Sequence, residues 1–399
     1  MKYVAYFAVV GVVAVSSRAQ AFETRYDRPV AAAVNRMVNG SAYTHVWACG
    51  QNQQMYHAAA RAGSQAWAPW ERVSQTTLYP CYSAPSAAAL DGSPREVMVV
   101  YWRGRDNALI EARTSEENVV TITDISSITG VYLVDAPVVA DTSGQTVAVA
   151  VHAEDAGLYT IEDRGGAWAA RPMLLSADQP ALAQVGPTMT MVASYNSWFF
   201  GQETISAYLG CSIHSFGVHT IFARTRWSQS YKAIASFTIP CGLRDLTDSL
   251  FGPITLVSGA GCREPFSGAP TLATRDLANR LMCSIPSTYK PFERGDTARR
   301  LTGAVYSMTT TGNASFVHMA SFARGEAGRL VYFNETATDS AVITMATELT
   351  SAPSMVSRST AHHHTAFYSR NDPLGHRLYN YDRMTNVETN MGIVVDVVD

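Results

Sequence analysis

Lysine is almost missing from this chain: Lys2, Lys232 and Lys290 are the only three among 30 basic residues. Positive charge therefore rests on scattered arginines, and acids outnumber bases, so no electrostatic grip on nucleic acid or anionic lipid is expected. After Tyr3–Val15 no apolar run approaches the length of a bilayer span, and the stretch Met391–Asp399 is too short and acidic for a lipid-anchor signal. No Cys-x-x-Cys pair occurs among the six cysteines, which removes the commonest zinc signature. There is no G-x-S-x-G elbow, no Gly-rich phosphate loop leading from strand to helix, and no convincing amphipathic helix. No cofactor or metal is expected.

Residues 1–21 read as a secretory signal. Lys2 supplies the positive start, Tyr3–Val15 the apolar core, and Ala19-Gln20-Ala21 the small-x-small site before Phe22. The expected location is extracellular. Removing this segment takes Lys2 and Arg18 and no acid, leaving 28 basic against 33 acidic residues, a net of −5. In an oxidising compartment an even cysteine count reads as disulfides. The neighbouring couples are Cys49 with Cys81, Cys211 with Cys241 and Cys262 with Cys283, one connectivity among several. Sequons at Asn39, Asn313 and Asn334 permit N-glycosylation on that route.

The rest of the chain repeats. Ser83-Ala84-Pro85 precedes SAAAL and then VVYWRGRDNALIEA (99–112), two apolar runs separated by a Gly/Asp/Asn knot, which is a hairpin signal. Asp135-Ala136-Pro137 and Ser351-Ala352-Pro353 each precede a similar pair of runs, and so does Arg28-Pro29. Weaker copies follow Gln179-Pro180, Gly252-Pro253 and Gly303. Units start near 29, 85, 137, 180, 253, 303 and 353, with the longest carrying an expected insertion at 201–218 around Cys211. Three or four β-like runs in roughly 40–50 residues is the period of a propeller blade. The expectation is an all-β chain folded as a single β-propeller over 22–399, with seven four-stranded blades; the weak copies between 180 and 300 leave six or eight open. The primary task of Gly104-Arg105-Asp106-Asn107 is to reverse the chain. Its counterparts are Gly50-Gln51-Asn52, Glu154-Asp155-Ala156-Gly157, Gly325-Glu326-Ala327-Gly328 and Asn371-Asp372-Pro373-Leu374-Gly375.

Tyr101-Trp102-Arg103-Gly104-x-Asp106-Asn107-x-Leu109, preceded by Ser-Ala-Pro, resembles the blade repeat of secreted fucose-binding propeller lectins and related tectonin-like propellers. The resemblance covers about half the chain and is complete only at 85–112; elsewhere Arg103-Gly104 becomes Cys49-Gly50 or Ala153-Glu154. It implies a non-catalytic protein that binds fucose or related sugars in pockets between blades, with glycans or glycoproteins as partners.

Candidate ligand-binding residues combine an apolar face for sugar C–H groups with fork-shaped hydroxyl donors. They are Trp102 with Arg103, Arg324, and Tyr368 with Arg370 at the ends of second strands, joined by Glu111, Tyr332 and Tyr379 on the strands that follow. One alternative is a propeller whose sugar pockets have decayed and whose faces bind proteins. Another is a propeller glycoside hydrolase, since Asn371-Asp372-Pro373-Leu374-Gly375 is similar to the nucleophile segment of invertase-like glycosidases. That stretch aligns with the other hairpin turns, however, and a hydrolase needs a second, correctly spaced carboxylate. On a strand His362 and His364 would share a face, but with no third ligand in the pattern they read as a half-exposed strand edge.

Overall fold

The computed structural model describes residues 29–182 and 316–395 apart from short stretches between strands, and the strands alone between 189 and 313. Residues 1–28, Asn39, Cys211, Cys241, Cys262, His362 and His363 lie outside the described residues. Cys283 and the sequon residues Asn313 and Asn334 fall in strands.

Among the described residues there are seven four-stranded antiparallel sheets, each a meander of consecutive strands. Sheet 1 holds β1 (Ala31–Val38), β2 (Ser41–Cys49), β3 (Met55–Arg61) and β4 (Glu71–Arg72); sheet 2 holds β5 (Ser86–Leu90), β6 (Val97–Arg103), β7 (Leu109–Thr114) and β8 (Val120–Asp124). Sheet 3 holds β9 (Val138–Asp141), β10 (Val147–His152), β11 (Leu158–Arg164) and β12 (Ala167–Pro172). Sheet 4 runs through β13 (Met189–Ser194), β14 (Gln202–Tyr208), β15 (Phe216–Thr225) and β16 (Lys232–Pro240). Sheet 5 runs through β17 (Thr255–Ser258), β18 (Pro270–Arg275), β19 (Leu281–Ser284) and β20 (Phe292–Arg294). Sheet 6 comprises β21 (Ser307–Asn313), β22 (Phe316–Arg324), β23 (Leu330–Asn334) and β24 (Ala341–Ile343). Sheet 7 comprises β25 (Ser354–Ser357), β26 (His364–Asp372), β27 (Gly375–Asp382) and β28 (Val387–Val394). The first strands of successive sheets lie against one another, β1, β5, β9, β13, β17, β21 and β25 in turn, and β25 meets β1.

The expected insertion at 201–218 is corrected. Gln202–Tyr208 and the start of Phe216–Thr225 are the two middle strands of sheet 4, so these residues belong to the sheet itself.

β6 is buried on both faces, which is why it reads as a continuous apolar run rather than an alternation. In β6, Met98, Val100 and Trp102 pack with Trp47, Cys49 and Met55 of sheet 1, while Val99 and Tyr101 pack with Val149, Val151 and Ile161 of sheet 3. Similar seams join sheet 6 to sheet 7 through Phe322, Tyr332, Tyr368 and Tyr381, and sheet 7 to sheet 1 through Phe367, Leu378, Val46 and Ala48.

The polar knot after β6 is a tight reversal. Asp106 and Asn107 adopt φ of 53° and 60°, the left-handed region that Asp and Asn tolerate best among residues with a Cβ. A Cβ on Gly104 would sit 2.6 Å from Ile110 Cγ1, so only glycine fits there. The recurrent tripeptide also has a structural task. Ser83 Oγ accepts the Arg103 amide at 2.9 Å, and Ser351 Oγ accepts the Ser369 amide at 2.9 Å. Beside them the Tyr82 and Thr350 amides donate to the carbonyls of Arg103 and Ser369, both at 2.8 Å. The tripeptide thus clamps the segment entering a sheet to the end of its second strand.

Candidate functional site in the cleft between the last and first sheets

The expected site residues do not share one pocket. Trp102 and Arg103, adjacent on a strand, point to opposite faces. Trp102 lies in the seam of sheets 1 and 2 with 0% exposure, its Nε1 donating to the Pro80 carbonyl at 3.2 Å. That corrects its expected role, because no ring face is left for a ligand. Arg103 points towards sheet 3 and donates to the carbonyls of Val134 and, at 3.1 Å, Tyr82. Its fork ties two loops together. Glu111 is buried beside it, taking the Tyr101 hydroxyl and the Arg113 guanidinium, and Arg113 continues to Asp163 of sheet 3 at 2.8 Å. Burial, reinforced by Glu111, holds the Tyr101 hydroxyl pKa well above that of a free tyrosine, so it remains a donor.

The other five do meet, in the seam of sheets 6 and 7. Arg324 Nε donates to the Leu349 carbonyl at 2.9 Å, and Leu349 bridges to Arg370. Tyr332 packs with Phe322, 5.0 Å between ring centroids, under the Arg383 guanidinium. Tyr368 and Arg370 both bond Glu388, Tyr368 from its hydroxyl at 2.8 Å, and Arg370 Nε reaches Thr347 Oγ1 at 2.7 Å. Burial first, then Glu388, raises the pKa of Tyr368. Arg370 lies 4.6 Å over the ring of Tyr379, whose hydroxyl donates to Asp372 at 3.3 Å. Arg370 is only 4% exposed, with Nε on Thr347 and Nη1 on Glu388. The clamp explains why Arg370 is not a second Arg103: Ser369 occupies the place of Arg103, and Arg370, one residue on, faces backwards into the seam with sheet 6.

Two further expectations change. Cys49 and Cys81 are thiols rather than a disulfide: Cys49 Sγ donates to the Cys81 carbonyl at 3.1 Å and Cys81 Sγ to the Ser83 carbonyl at 3.2 Å. The Asn371–Gly375 stretch closes the β26–β27 hairpin through the pair Asp372 and Gly375, as expected of a turn. His364, the described member of the histidine run, is buried on β26 and lies 5.9 Å from the ring of Tyr332, not at an exposed edge.

An open cleft of about 680 Å³ lies elsewhere, between sheets 7 and 1. It is lined by Gly50, Gln51, Asn52, Tyr56 and Trp70 from one side and by Gly392, Ile393 and Val394 from the other. A Cβ on Gly50 would meet Tyr56 Cε2 at 2.7 Å, so the bare turn lets the ring lie across it. Asn52 Nδ2 donates to the Tyr56 hydroxyl at 2.8 Å, and Trp70 Nε1 donates to the Met391 carbonyl at 2.6 Å. On the far wall β28 bulges: Asn390 pairs with Tyr379 but Val394 with Arg377, and Gly392 takes φ +77° between them. Bulges of this kind bend a strand out of its ladder. The lining offers two aromatic rings and two carboxamides, and none of its side chains is charged. It has no set of carboxylate, imidazole or thiolate ligands for a metal. In the sequence Gly50-Gln51-Asn52 reads only as a turn, and the signal that could have marked the cleft is the pair Trp67 and Trp70 in a segment with little β pattern.

No protein-family model matches this chain, and no curated protein matches it in sequence. Solved structures do resemble it. AofleA from Arthrobotrys oligospora superposes with a TM-score of 0.51 at 14% identity, over 82% of this chain and 89% of that one. A Mycobacterium tuberculosis puromycin-hydrolysing peptidase gives 0.54 at 11% identity, over 94% of this chain and 54% of that one. The fucose-recognising lectin of Aleuria aurantia, a six-bladed β-propeller, gives 0.48 at 13% identity over 80% and 97%. At these identities the likeness concerns the fold.

Proposed function

We propose that this chain is a secreted, non-catalytic, seven-bladed β-propeller lectin that takes a glycan in the cleft between sheets 7 and 1. The observation that carries this reading is the lining of the cleft. Tyr56 and Trp70 offer apolar faces for sugar C–H groups, Asn52 and Gln51 offer neutral donors and acceptors for hydroxyls, and nothing charged favours an ionic ligand. The ring of first-strand contacts supports the architecture, and the repeat's resemblance to fucose-binding propellers makes fucose and its relatives the first sugars to test. A hydrolase reading gains nothing from the cleft, whose lining holds no carboxylate pair. A glycan array probed with the mature protein tests the proposal. Binding that falls at least tenfold in Trp70→Ala supports it, and an array without a single bound glycan refutes it. Secretion is tested separately: the protein recovered from culture medium should begin at Phe22.

A protein-binding role has its own observation. Ile128, Tyr132, Val134 and Leu182 are exposed apolar side chains gathered near the turns of sheets 2 and 3, where Tyr132 bridges to Ala108 and Leu182 to Gly157. Pull-down that survives Trp70→Ala and fails on Tyr132→Ser with Leu182→Ser would favour it.

A further inference from the structure

Sheet 1 carries a histidine pair with no place in the proposed cleft. His45 on β2 and His57 on β3 stack with ring centroids 5.1 Å apart and 12° between planes, and their facing nitrogens, Nδ1 and Nε2, are 2.9 Å apart. Trp47 packs on His57 at 5.1 Å. A nitrogen–nitrogen contact of this length needs one N–H and one lone pair, so the rings cannot both be charged and stay together. Arg36, 1% exposed, adds positive charge from β1. The face of sheet 2 opposite the pair is apolar, formed by Ala87, Met98, Val100, Ala112 and Ile122. The other titratable groups described on this seam are Tyr43, Arg61, Glu71, Tyr79, Asp124 and the Cys49 and Cys81 thiols. Glu71 pairs with His57 across β3 and β4 but is exposed, and Asp124 accepts the Ser127 amide at 3.0 Å.

The pair and the cleft share one strand. Tyr56 and His57 are neighbours on β3, so one enters the cleft while the other enters the seam with sheet 2. β4, paired with β3 at Tyr56 and His57, follows directly on Trp70.

We propose that His45 and His57 form an acid-sensitive latch: neutral, they hold β3 against β2, and in acid the rings part and the cleft loses its Tyr56 wall. The last clause rests on the glycan reading above. Burial, with His57 and Arg36 beside it, pushes His45 down to about 3, and burial pushes His57 down to about 4, so both rings are neutral at pH 7 in the closed sheet. An open sheet would restore ordinary values near 6.5, and each ring then favours opening by about tenfold per pH unit below that.

Amide hydrogen exchange over Met55–Arg61 of the mature protein, corrected for intrinsic rate, reads the latch without any ligand. Between pH 7 and pH 4.5, two units below 6.5, the opening equilibrium should rise about a hundredfold for each ring, and His57→Gln and His45→Gln should each remove about a hundredfold of that rise. Exchange over Met55–Arg61 that is no more acid-sensitive than over Leu109–Thr114, or unchanged in both variants, would overturn the latch. A glycan array run in parallel at both pH values reads the consequence: glycans bound at pH 7 should be lost at pH 4.5 by the wild type and retained by the variants. Retention by the wild type overturns the link between latch and cleft. An array blank at pH 7 counts against the lectin reading alone, since exchange still decides the latch.

Discussion

Arg103 shows how one side chain changes meaning once its surroundings are known. In the sequence it ends a strand in an aromatic-Arg-Gly motif and reads as a sugar-hydroxyl donor. In the fold its guanidinium is taken by two main-chain carbonyls, Val134 and Tyr82, which belong to the loops on either side of sheet 2. Charge-assisted bonds of this kind contribute about 1.5–3 kcal/mol each when well formed, and less where water competes. Arg103→Ala should therefore lower unfolding stability by about 1–3 kcal/mol, read from urea midpoints, and leave glycan binding unchanged. Trp70→Ala should show the opposite balance. If Arg103→Ala instead abolishes binding with stability intact, the carbonyls are only its resting partners and the site belongs between sheets 2 and 3. The assignment of Trp102 and Arg103 to one pocket failed for a reason already present in the sequence: neighbours on a strand face opposite ways. The motif's aromatic and its arginine serve different seams.

At the scale of the element, hairpins were the most legible feature. β6 and β7 stand out because both faces are buried, giving long apolar runs, and because the turn between them needs glycine and left-handed Asp and Asn. The facing of each strand was harder to see, since an apolar run without alternation carries no register signal. The Ser-Ala-Pro tripeptide supplies one. By clamping Arg103 in sheet 2 and Ser369 in sheet 7, it fixes which residue faces forward, and it shows Arg370 to face back. Ser351 is fully buried in this clamp, where its Oγ accepts the Ser369 amide. Ser351→Ala strands that amide and should cost about 1–3 kcal/mol, against a few tenths for a serine at an exposed surface position. The histidine pair sets the acid response of sheet 1. Below pH 6.5 the unfolded chain binds protons that the folded pair refuses, so stability is complete above that value. It declines towards the folded values of about 4 for His57 and about 3 for His45. At about 1.4 kcal/mol per ring per pH unit, less a discount for the partial exposure of His57, moving from pH 7 to pH 5 should remove about 3 kcal/mol in urea titrations. His45→Gln/His57→Gln should flatten that slope.

For the whole molecule, the repeat was legible and the cleft was not. Repeats are local, and four short strands to a unit can be read along the chain. The cleft joins Trp70 to Met391, 321 positions apart, and its far wall is a bulge at Gly392 whose cause lies in the mispairing of β28 with β27. No local pattern announces such a meeting. The same region joins sheet 7 to sheet 1: the Gln51 amide donates to the Val394 carbonyl at 3.2 Å, Gly50 bridges to Val395, and Met391 packs with Val46 and Ala48 of sheet 1. β28 is therefore both a wall of the cleft and the outer strand by which sheet 7 meets sheet 1. A chain ending at Thr385, which lacks β28, should lose the cleft and expose the Met391 side of the seam. Burying a methionine, two valines and an isoleucine contributes on the order of 1.5–3 kcal/mol per side chain. With about 2–4 °C per kcal/mol in a large domain, its melting temperature should fall by about 10 °C or more, with binding to every glycan lost. A chain ending at Val395 keeps β28 and its bridge and should match the full-length protein in both. If the Thr385 chain melts with the full-length protein, β28 does not hold the seam, and sheets 7 and 1 are joined through the contacts of β25 with β1 alone.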